Sequence, residues 1–327
     1  MSENGPTIDV HLDAGWAHHA LVDDVRRGLA RRPLRVPSRW LYDEHGSELF
    51  DQITRLDEYY PTEAERSILH READCIATIT AADTIIELGS GTSDKTHTLI
   101  RAFEATGQLH RFVPFDVSER FLRDAVQELS ARYPDLMVHA VVGDFTLHVP
   151  HLPTDGTPLV AFLGSTIGNL HVEERRTFLA MLADHLPDGA WLLLGVDLVK
   201  SVDRLVAAYD DSHGTTAAFT RNVLSVLNRE LDADFDVDAF DHVALWDPLH
   251  ERMDLRLRAN GEHEVSIPGA GIQVDIGDGE EIRIEISTKF RIPTITAELE
   301  AAGFRTRQVW TDQPGDVALL LASVDDR

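Results

Sequence analysis

The stretch of this chain best equipped for chemistry is Glu87-Leu88-Gly89-Ser90-Gly91, which closes the apolar run Thr84-Ile85-Ile86 and leads through Thr92, Ser93, Asp94 and Lys95 into a helical pattern. Strand, tight turn and helix are predicted in that order. Glycine carries no Cβ and tolerates positive φ, so such a turn lets backbone approach a ligand closely, and ligands of open α/β sheets sit at the carboxyl ends of strands. The charges in the turn separate three ligands. A phosphate loop needs a glycine ahead of its Lys-Thr pair, whereas Asp94 precedes Lys95 and Thr96 and sets a carboxylate where a phosphate would lie. A dinucleotide fingerprint needs a small third residue where Asp94 again stands, so Gly89 and Gly91 alone support it weakly. S-adenosylmethionine carries an ammonium, a sulfonium, a carboxylate and a ribose but no phosphate. For that ligand, acids near the loop are assets.

Further polar groups stand where the next strands should end. Arg111 to Asp116 reads as a strand whose final Asp116 can accept both ribose hydroxyls. Met137 to Val142 reads as another, followed by Gly143-Asp144-Phe145, where the carboxylate can take the adenine amine and Phe145 can pack on the ring. Taken singly, either acid is as readily a helix N-cap or a turn residue. Three strand ends in agreement favour the nucleoside. The run Pro158 to Leu163 enters the small-residue loop Gly164-Ser165-Thr166-Ile167-Gly168-Asn169. Such a loop leaves room beside a sulfonium for an incoming amine, and Asn169 offers donor and acceptor to a zwitterion; the plainer alternative is a turn.

The elements that must hold these groups follow from periodicity. From Thr84 onward strands alternate with helices (Ser118 to Tyr133, Val172 to Leu186), as in a parallel sheet, with a fifth strand at Trp191 to Val196. Ahead of it lie helical patterns at His18 to Arg32 and Ser47 to Arg55, and a helix opened by Pro61 and running to Ile79. Asp203 to Tyr209 and Thr215 to Leu231 read as helices. Five short alternating runs between His242 and Lys289 then read as an antiparallel insert, after which helix Ile295 to Ala302 and strands Arg307 to Trp310 and Val317 to Ala322 restore the α/β pattern. The expected domains are residues 63–198 with 290–327 for the cofactor, and 1–62 with 199–289 for the substrate, the N-terminal helices packing with the insert as a lid.

Composition narrows the partners. With 30 Lys and Arg against 56 Asp and Glu, the net charge of −26 would repel a phosphate backbone, which excludes nucleic acid. The single cysteine, Cys75, excludes an internal disulfide and reads as a small core residue beside Ile68, Ile76 and Ile79. No apolar run is long enough for a bilayer and no leader pattern is seen, so a cytoplasmic protein without membrane association is expected. His148 and His151 are close in the chain, but no cysteine or acid completes a ligand set with them, so they read as surface residues and no metal is expected. No heptad or apolar stripe speaks for self-association, and a monomer is expected.

Taken together, the motifs carry a likeness. Glu87-Leu88-Gly89-Ser90-Gly91 with Asp116 and Asp144 resembles the class I methyltransferase core. A more specific set is Tyr42-Asp43 with Gly46-Ser47-Glu48-Leu49-Phe50, Glu58-Tyr59-Tyr60-Pro61-Thr62, Phe162-Leu163-Gly164-Ser165-Thr166-Ile167-Gly168-Asn169 and Glu285-Ile286-Ser287-Thr288-Lys289-Phe290. These resemble, over nearly the whole chain, the L-histidine Nα-methyltransferases of ergothioneine biosynthesis. The resemblance implies an α/β fold: a Rossmann-like class I methyltransferase sheet, parallel with an antiparallel terminal strand, plus a second α+β substrate-binding domain. It implies S-adenosylmethionine against Gly89, Lys95, Asp116, Asp144 and Phe145, with Tyr42 and Phe50 closing over its methyl-donating end. It also implies L-histidine held by Asn169 and Tyr209 at its α-amino and carboxylate end, lined by Tyr59 and Gly164, with Glu285 and Ser287 on the imidazole. Three methylations of one amine would give hercynine. A departure is Leu255, where a methionine is common near the side-chain pocket.

From the residues alone, Glu285 and Ser287 are two apart on a strand and point to one face, where a carboxylate and a hydroxyl could meet both nitrogens of one imidazole. Their plainer role is a solvent-facing salt bridge. Tyr42 is the candidate for relaying the amine's proton, although an ordinary phenol pKa of about 10 makes it a poor base at neutral pH. Rival functions are methylation of another amino acid or small amine, a nicotinamide-dependent oxidoreductase, which Asp94 disfavours, and a nucleotide-binding module without catalysis.

Overall fold

The computed structural model describes residues 6–12, 15–90 and 94–325. The chain divides into two compact units, Met1–Asp13 with Pro61–Leu198 and Phe290–Arg327, and Ala14–Tyr60 with Val199–Lys289.

The first unit is built on an eight-stranded sheet in the order Thr7–Val10, Met137–Val142, Arg111–Asp116, Thr84–Leu88, Pro158–Phe162, Trp191–Asp197, Val317–Val324, Phe304–Thr311. The first six run parallel, and Val317–Val324 lies antiparallel to both its neighbours. This is the class I methyltransferase arrangement with one strand added at an edge. Thr84–Leu88, Pro158–Phe162 and Val317–Val324 are buried at every residue, which is why they read as mainly apolar runs rather than alternating ones, with Glu87 the one ionisable residue among them. The chain leaves Thr84–Leu88 toward Arg111–Asp116 and Met137–Val142, then returns to Pro158–Phe162 on its other side. The order therefore reverses between Thr84–Leu88 and Pro158–Phe162, where open α/β sheets leave a crevice.

Two expectations fail here. Residues 1–62 do not all belong with the substrate unit: Thr7–Val10 pairs parallel with His139 to Val142, and Pro61 and Thr62 open the first unit's helix Pro61–Thr80. The added strand is four residues long and mostly exposed, so it leaves no apolar pattern to read. Cys75 is exposed. The buried stripe of its helix runs through Ile68, Leu69, Ala73, Ile76 and Ala77, and Cys75 stands about 100° from Ile76 around the axis.

The second unit packs helices Trp16–Leu29, Glu44–Ile53, Val202–Tyr209 and Thr215–Leu231 with a sheet ordered Leu34–Arg35, Glu281–Thr288, Arg252–Ala259, Phe240–Asp247. The five runs expected as one insert do not share a sheet. His263–Ile267 and Ile272–Ile276 form a separate antiparallel ribbon, whose Val265, Ile267, Val274 and Ile276 join the core under Leu227 and Leu231. Gly269 permits this approach, since a Cβ there would stand 2.7 Å from the Leu231 Cα. The fourth strand of the sheet, Leu34–Arg35, is parallel to Glu281–Thr288 and only two residues long, too short for alternation to reveal. Among the described residues no helix is long and apolar enough to cross a membrane.

Candidate active site

In the first unit the predicted cofactor residues stand at consecutive strand ends. Gly89 follows Thr84–Leu88 with φ +70°, and the N–H groups of Gly89 and Ser90 donate to the Phe115 carbonyl at 2.9 and 3.2 Å. A Cβ at Gly89 would meet no atom of the described residues within 4 Å, so among them the turn borders open space. Glu87 faces inward and holds the turn from below, accepting from the Ser90 and Thr96 hydroxyls at 2.8 and 2.7 Å while burial pushes its carboxyl up. Gly91 and the Asp94 carboxylate, which carried the case against phosphate ligands, lie outside the described residues.

Asp116 ends Arg111–Asp116 and accepts from the Ser118 N–H at 2.9 Å; burial raises its carboxyl to about 6, against the pull of the Ser118 and Val117 amides. Asp144 caps the turn Phe145–His148, accepting from the Thr146 N–H and hydroxyl at 2.9 and 2.6 Å. Both acids thus make the local bonds of the plainer alternative, at the strand ends where a nucleoside needs them. Phe145 packs edge-on against Phe162 and Phe178, with ring centroids 5.2 and 5.5 Å away.

Lys95 donates to Glu65 at 2.7 Å, and both Glu65 oxygens accept from the Gly164 N–H at 2.9 and 3.0 Å. Glu65, on helix Pro61–Thr80 and 1% exposed, was not anticipated from sequence. It ties the first glycine turn's helix to the loop after Pro158–Phe162, and it fits because Gly195 is bare: a Cβ there would lie 1.9 Å from Glu65 Oε1. In that loop Gly164 and Ser165 are both left-handed, at φ +73° and +56°. The serine's conformation costs roughly 1 kcal/mol or more, and its hydroxyl is held by accepting from the Asp197 N–H at 2.9 Å. Asn169 closes the turn Thr166–Asn169 and is partly exposed. Open space at Gly89, with the Asp116 carboxylate at the next strand end, fits a nucleoside with a free ribose diol.

The second unit gathers the other predicted residues. Rings run in sequence from Phe219 through Tyr42, Phe50 and Tyr59 to Tyr209, with successive centroids 5.3, 5.5, 6.2 and 6.2 Å apart. The Asp43 that follows Tyr42 fixes the chain beside its ring. Asp43 caps helix Glu44–Ile53 by accepting from the Gly46 N–H at 2.8 Å and takes a further bond from Asn222 at 2.7 Å, while a Cβ on Gly46 would sit 1.6 Å from the Leu41 carbonyl oxygen. Tyr60 turns elsewhere, its hydroxyl accepting from Lys200 at 2.7 Å.

Glu285 and Ser287 owe their face to a β-bulge. Residues paired across a ladder project to the same side. Ile282 pairs with Leu257 and Arg283 with Arg256, but after the register shift Glu285 pairs with Leu255 and Ser287 with Met253. The bulge at Ile284 therefore moves Glu285 and Ser287 to the side of Leu257 and Ile282, which belongs to the helix-covered core, and off the side where Arg256 and Arg283 clamp Asp254. Two guanidiniums hold that aspartate's carboxyl below the usual range despite its burial. On the core side Ser287 meets Tyr209, hydroxyl to hydroxyl, at 2.8 Å. Lys289, 2% exposed, donates to both, at 2.7 Å to Tyr209 Oη and 2.8 Å to Ser287 Oγ.

A family model described as histidine-specific, SAM-dependent methyltransferase matches residues 21–324. The chain belongs to that family. It is 51% identical over 312 residues to the histidine N-alpha-methyltransferase of Mycolicibacterium smegmatis, spanning 95% of this chain and 97% of that one. With the protein of the same description from Mycobacterium tuberculosis it shares 50% over 313 residues, 96% of this chain and 98% of the other. Ergothioneine biosynthesis protein 1 of Schizosaccharomyces pombe is 32% identical over 238 residues, 69% of this chain and 30% of that longer protein.

In this histidine-specific methyltransferase the first unit contains Gly89, Lys95, Asp116, Asp144, Phe145, Gly164 and Asn169, and the second contains Tyr42, Phe50, Tyr59, Tyr209, Glu285 and Ser287. Two residues that sequence reasoning passed over hold others in place, Glu65 in the first unit and Lys289 in the second. Lys289 stood inside the Glu285 to Phe290 motif, with its spacing of two from Ser287 as the available signal. Glu65 offered none, being one acid among many on a helix.

Proposed function

We propose that this protein transfers methyl groups from S-adenosylmethionine to the α-amino nitrogen of L-histidine, three in succession, giving hercynine on the route to ergothioneine. The observation that carries the reading is the bulged strand, which turns a carboxylate and a hydroxyl, Glu285 and Ser287, to the side where Tyr209 stands. A carboxylate accepting from one ring nitrogen and a hydroxyl donating to the other select imidazole over an apolar side chain, because an unmatched buried polar group costs about 1 to 3 kcal/mol. The names of the relatives from both mycobacteria support histidine and its α-nitrogen, and that of the yeast relative supports the pathway.

S-adenosylmethionine brings a methyl group on a sulfonium that departs as a neutral thioether, so no acid is needed for the leaving group. The chain's task is to hold a neutral amine in line with the methyl carbon. Such alignment contributes on the order of 7 to 11 kcal/mol, more than a single proton-transfer contact supplies. The nitrogen lone pair forms the new N–C bond as the C–S bond breaks, and after the first and second transfers the product ammonium must lose a proton before the next. In the first unit Asp116 is assigned to the ribose and Asn169 offers donor and acceptor to a zwitterion; in the second Tyr209 is assigned to histidine, and Tyr42, 38% exposed, can pass the amine's proton to water.

The test is mass spectrometry of histidine incubated with the protein and S-adenosylmethionine. Gains of one, two and three methyl units on the α-nitrogen are expected, with other free amino acids failing to compete. Methylation of a ring nitrogen, or equal competition by an apolar amino acid, would defeat the assignment.

A further inference from the structure

We propose that Lys289 is a positioning residue for histidine recognition: its buried ammonium sets the direction of the Tyr209 and Ser287 hydroxyls, so that the pair presents a donor and demands an acceptor from the ligand. This rests on the reading that Tyr209 and Ser287 contact histidine. The three polar atoms form a closed triangle with sides of 2.7, 2.8 and 2.8 Å. An ammonium has donors and no acceptor, so both hydroxyl oxygens must receive from it. One hydroxyl proton then closes the bond between the two oxygens, and the other is directed outside the triangle. The ammonium beside them strengthens that outward donor, as charge-assisted bonds do.

The lysine is well fixed for this part. It follows strand Glu281–Thr288, its N–H donates to the Glu251 carbonyl at 2.7 Å, and its ammonium lies 4.5 Å from the centre of the Tyr209 ring. Tyr209 is fixed in turn, its carbonyl accepting from His242 Nε2 at 2.8 Å. With Glu285 as an acceptor on the same face, the second unit offers one acceptor and one oriented donor. That combination matches a neutral imidazole, with one nitrogen donating and the other accepting, and rejects a side chain bearing only donors or only acceptors.

The experiment measures kcat, the KM for L-histidine and the affinity for S-adenosylhomocysteine in Lys289→Met, Lys289→Arg, Ser287→Ala, Tyr209→Phe and the Lys289→Met/Ser287→Ala double variant. Lys289→Met should raise the histidine KM about 10- to 100-fold, the effect of one charge-assisted hydrogen bond, with kcat changed less than about threefold and S-adenosylhomocysteine affinity less than about twofold. Lys289→Arg should recover part of the loss, and Lys289→Met should add clearly less in the Ser287→Ala background than alone. If Ser287→Ala raises the KM while Lys289→Met does not, or if the two losses multiply in full, the lysine does not act through the hydroxyl and the proposal fails while the histidine reading stands. If neither Ser287→Ala nor Tyr209→Phe moves the KM, that reading falls and takes the proposal with it. Loss of S-adenosylhomocysteine binding in both lysine variants would mean that Lys289 only supports the fold, which also overturns it.

Discussion

In the first unit the predicted polar groups stand one after another at the ends of parallel strands, whereas in the second they come from a bulged antiparallel strand and the last turn of a helix. Asp116 ends its strand, and Gly89, Asp144 and Gly164 stand one or two residues past theirs, so the sheet itself sets where they are presented. Ser287 and Tyr209 instead depend on a third side chain, Lys289, and on a one-residue change of register. A strand-end site tolerates change in the surrounding side chains, because the sheet aims it. A site made by side chains bonded to one another is specific but loses its geometry when one member is removed.

The sharpest test of this contrast is Glu65, through which the first unit also relies on a buried ion pair. Glu65→Ala removes the carboxylate shared by Lys95 and the Gly164 N–H and should destabilise the protein by about 3 kcal/mol or more in denaturant unfolding. A loss under about 1 kcal/mol would place the pair among solvent-screened ones and leave the strand ends self-sufficient. Next in size, Asp116→Ala should lower S-adenosylhomocysteine affinity about 100-fold, the loss of two bonds to a carboxylate, without altering the fold by circular dichroism.

Glu285→Ala should act in the other half alone, raising the histidine KM about tenfold while cofactor affinity by calorimetry stays put; normal histidine binding would remove Glu285 as the imidazole partner. Acid should act on the first half. Because burial raises the Asp116 carboxyl to about 6, S-adenosylhomocysteine affinity should fall as the pH drops below about 6, and Asp116→Asn should flatten that profile. The sign for stability is opposite. The folded protein holds this proton more tightly than the unfolded chain, so the group's contribution is fully present below the ordinary value of 3.8 and is lost as the pH rises through about 6. The smallest effect is expected at Tyr42, where Tyr42→Phe should cost a few-fold in turnover at neutral pH if the ring positions and the hydroxyl only relays. A large, pH-sensitive loss of rate with unchanged cofactor affinity would instead make it a general base.

The sequence by itself determined the first unit's sheet and the order of its strand ends, since fully buried parallel strands must be continuous apolar runs and the residue after each is where a ligand can be met. It also determined the identity of most polar groups in the second unit, through motifs whose glycine and aspartate, Gly46 and Asp43, prove to be a close contact and a helix cap. Only the tertiary structure decided which face Glu285 and Ser287 occupy, because alternation assigns residues to two sides but a bulge exchanges those sides without any mark in the pattern. The same holds for the short strands Thr7–Val10 and Leu34–Arg35, which exist because an open sheet edge accepts them, and for the bonds of Glu65 to Lys95 and of Lys289 to Tyr209, which span 30 and 80 residues of chain. Local pattern reports local geometry. Buried charges find their partners across the fold, and no spacing in the sequence records that distance.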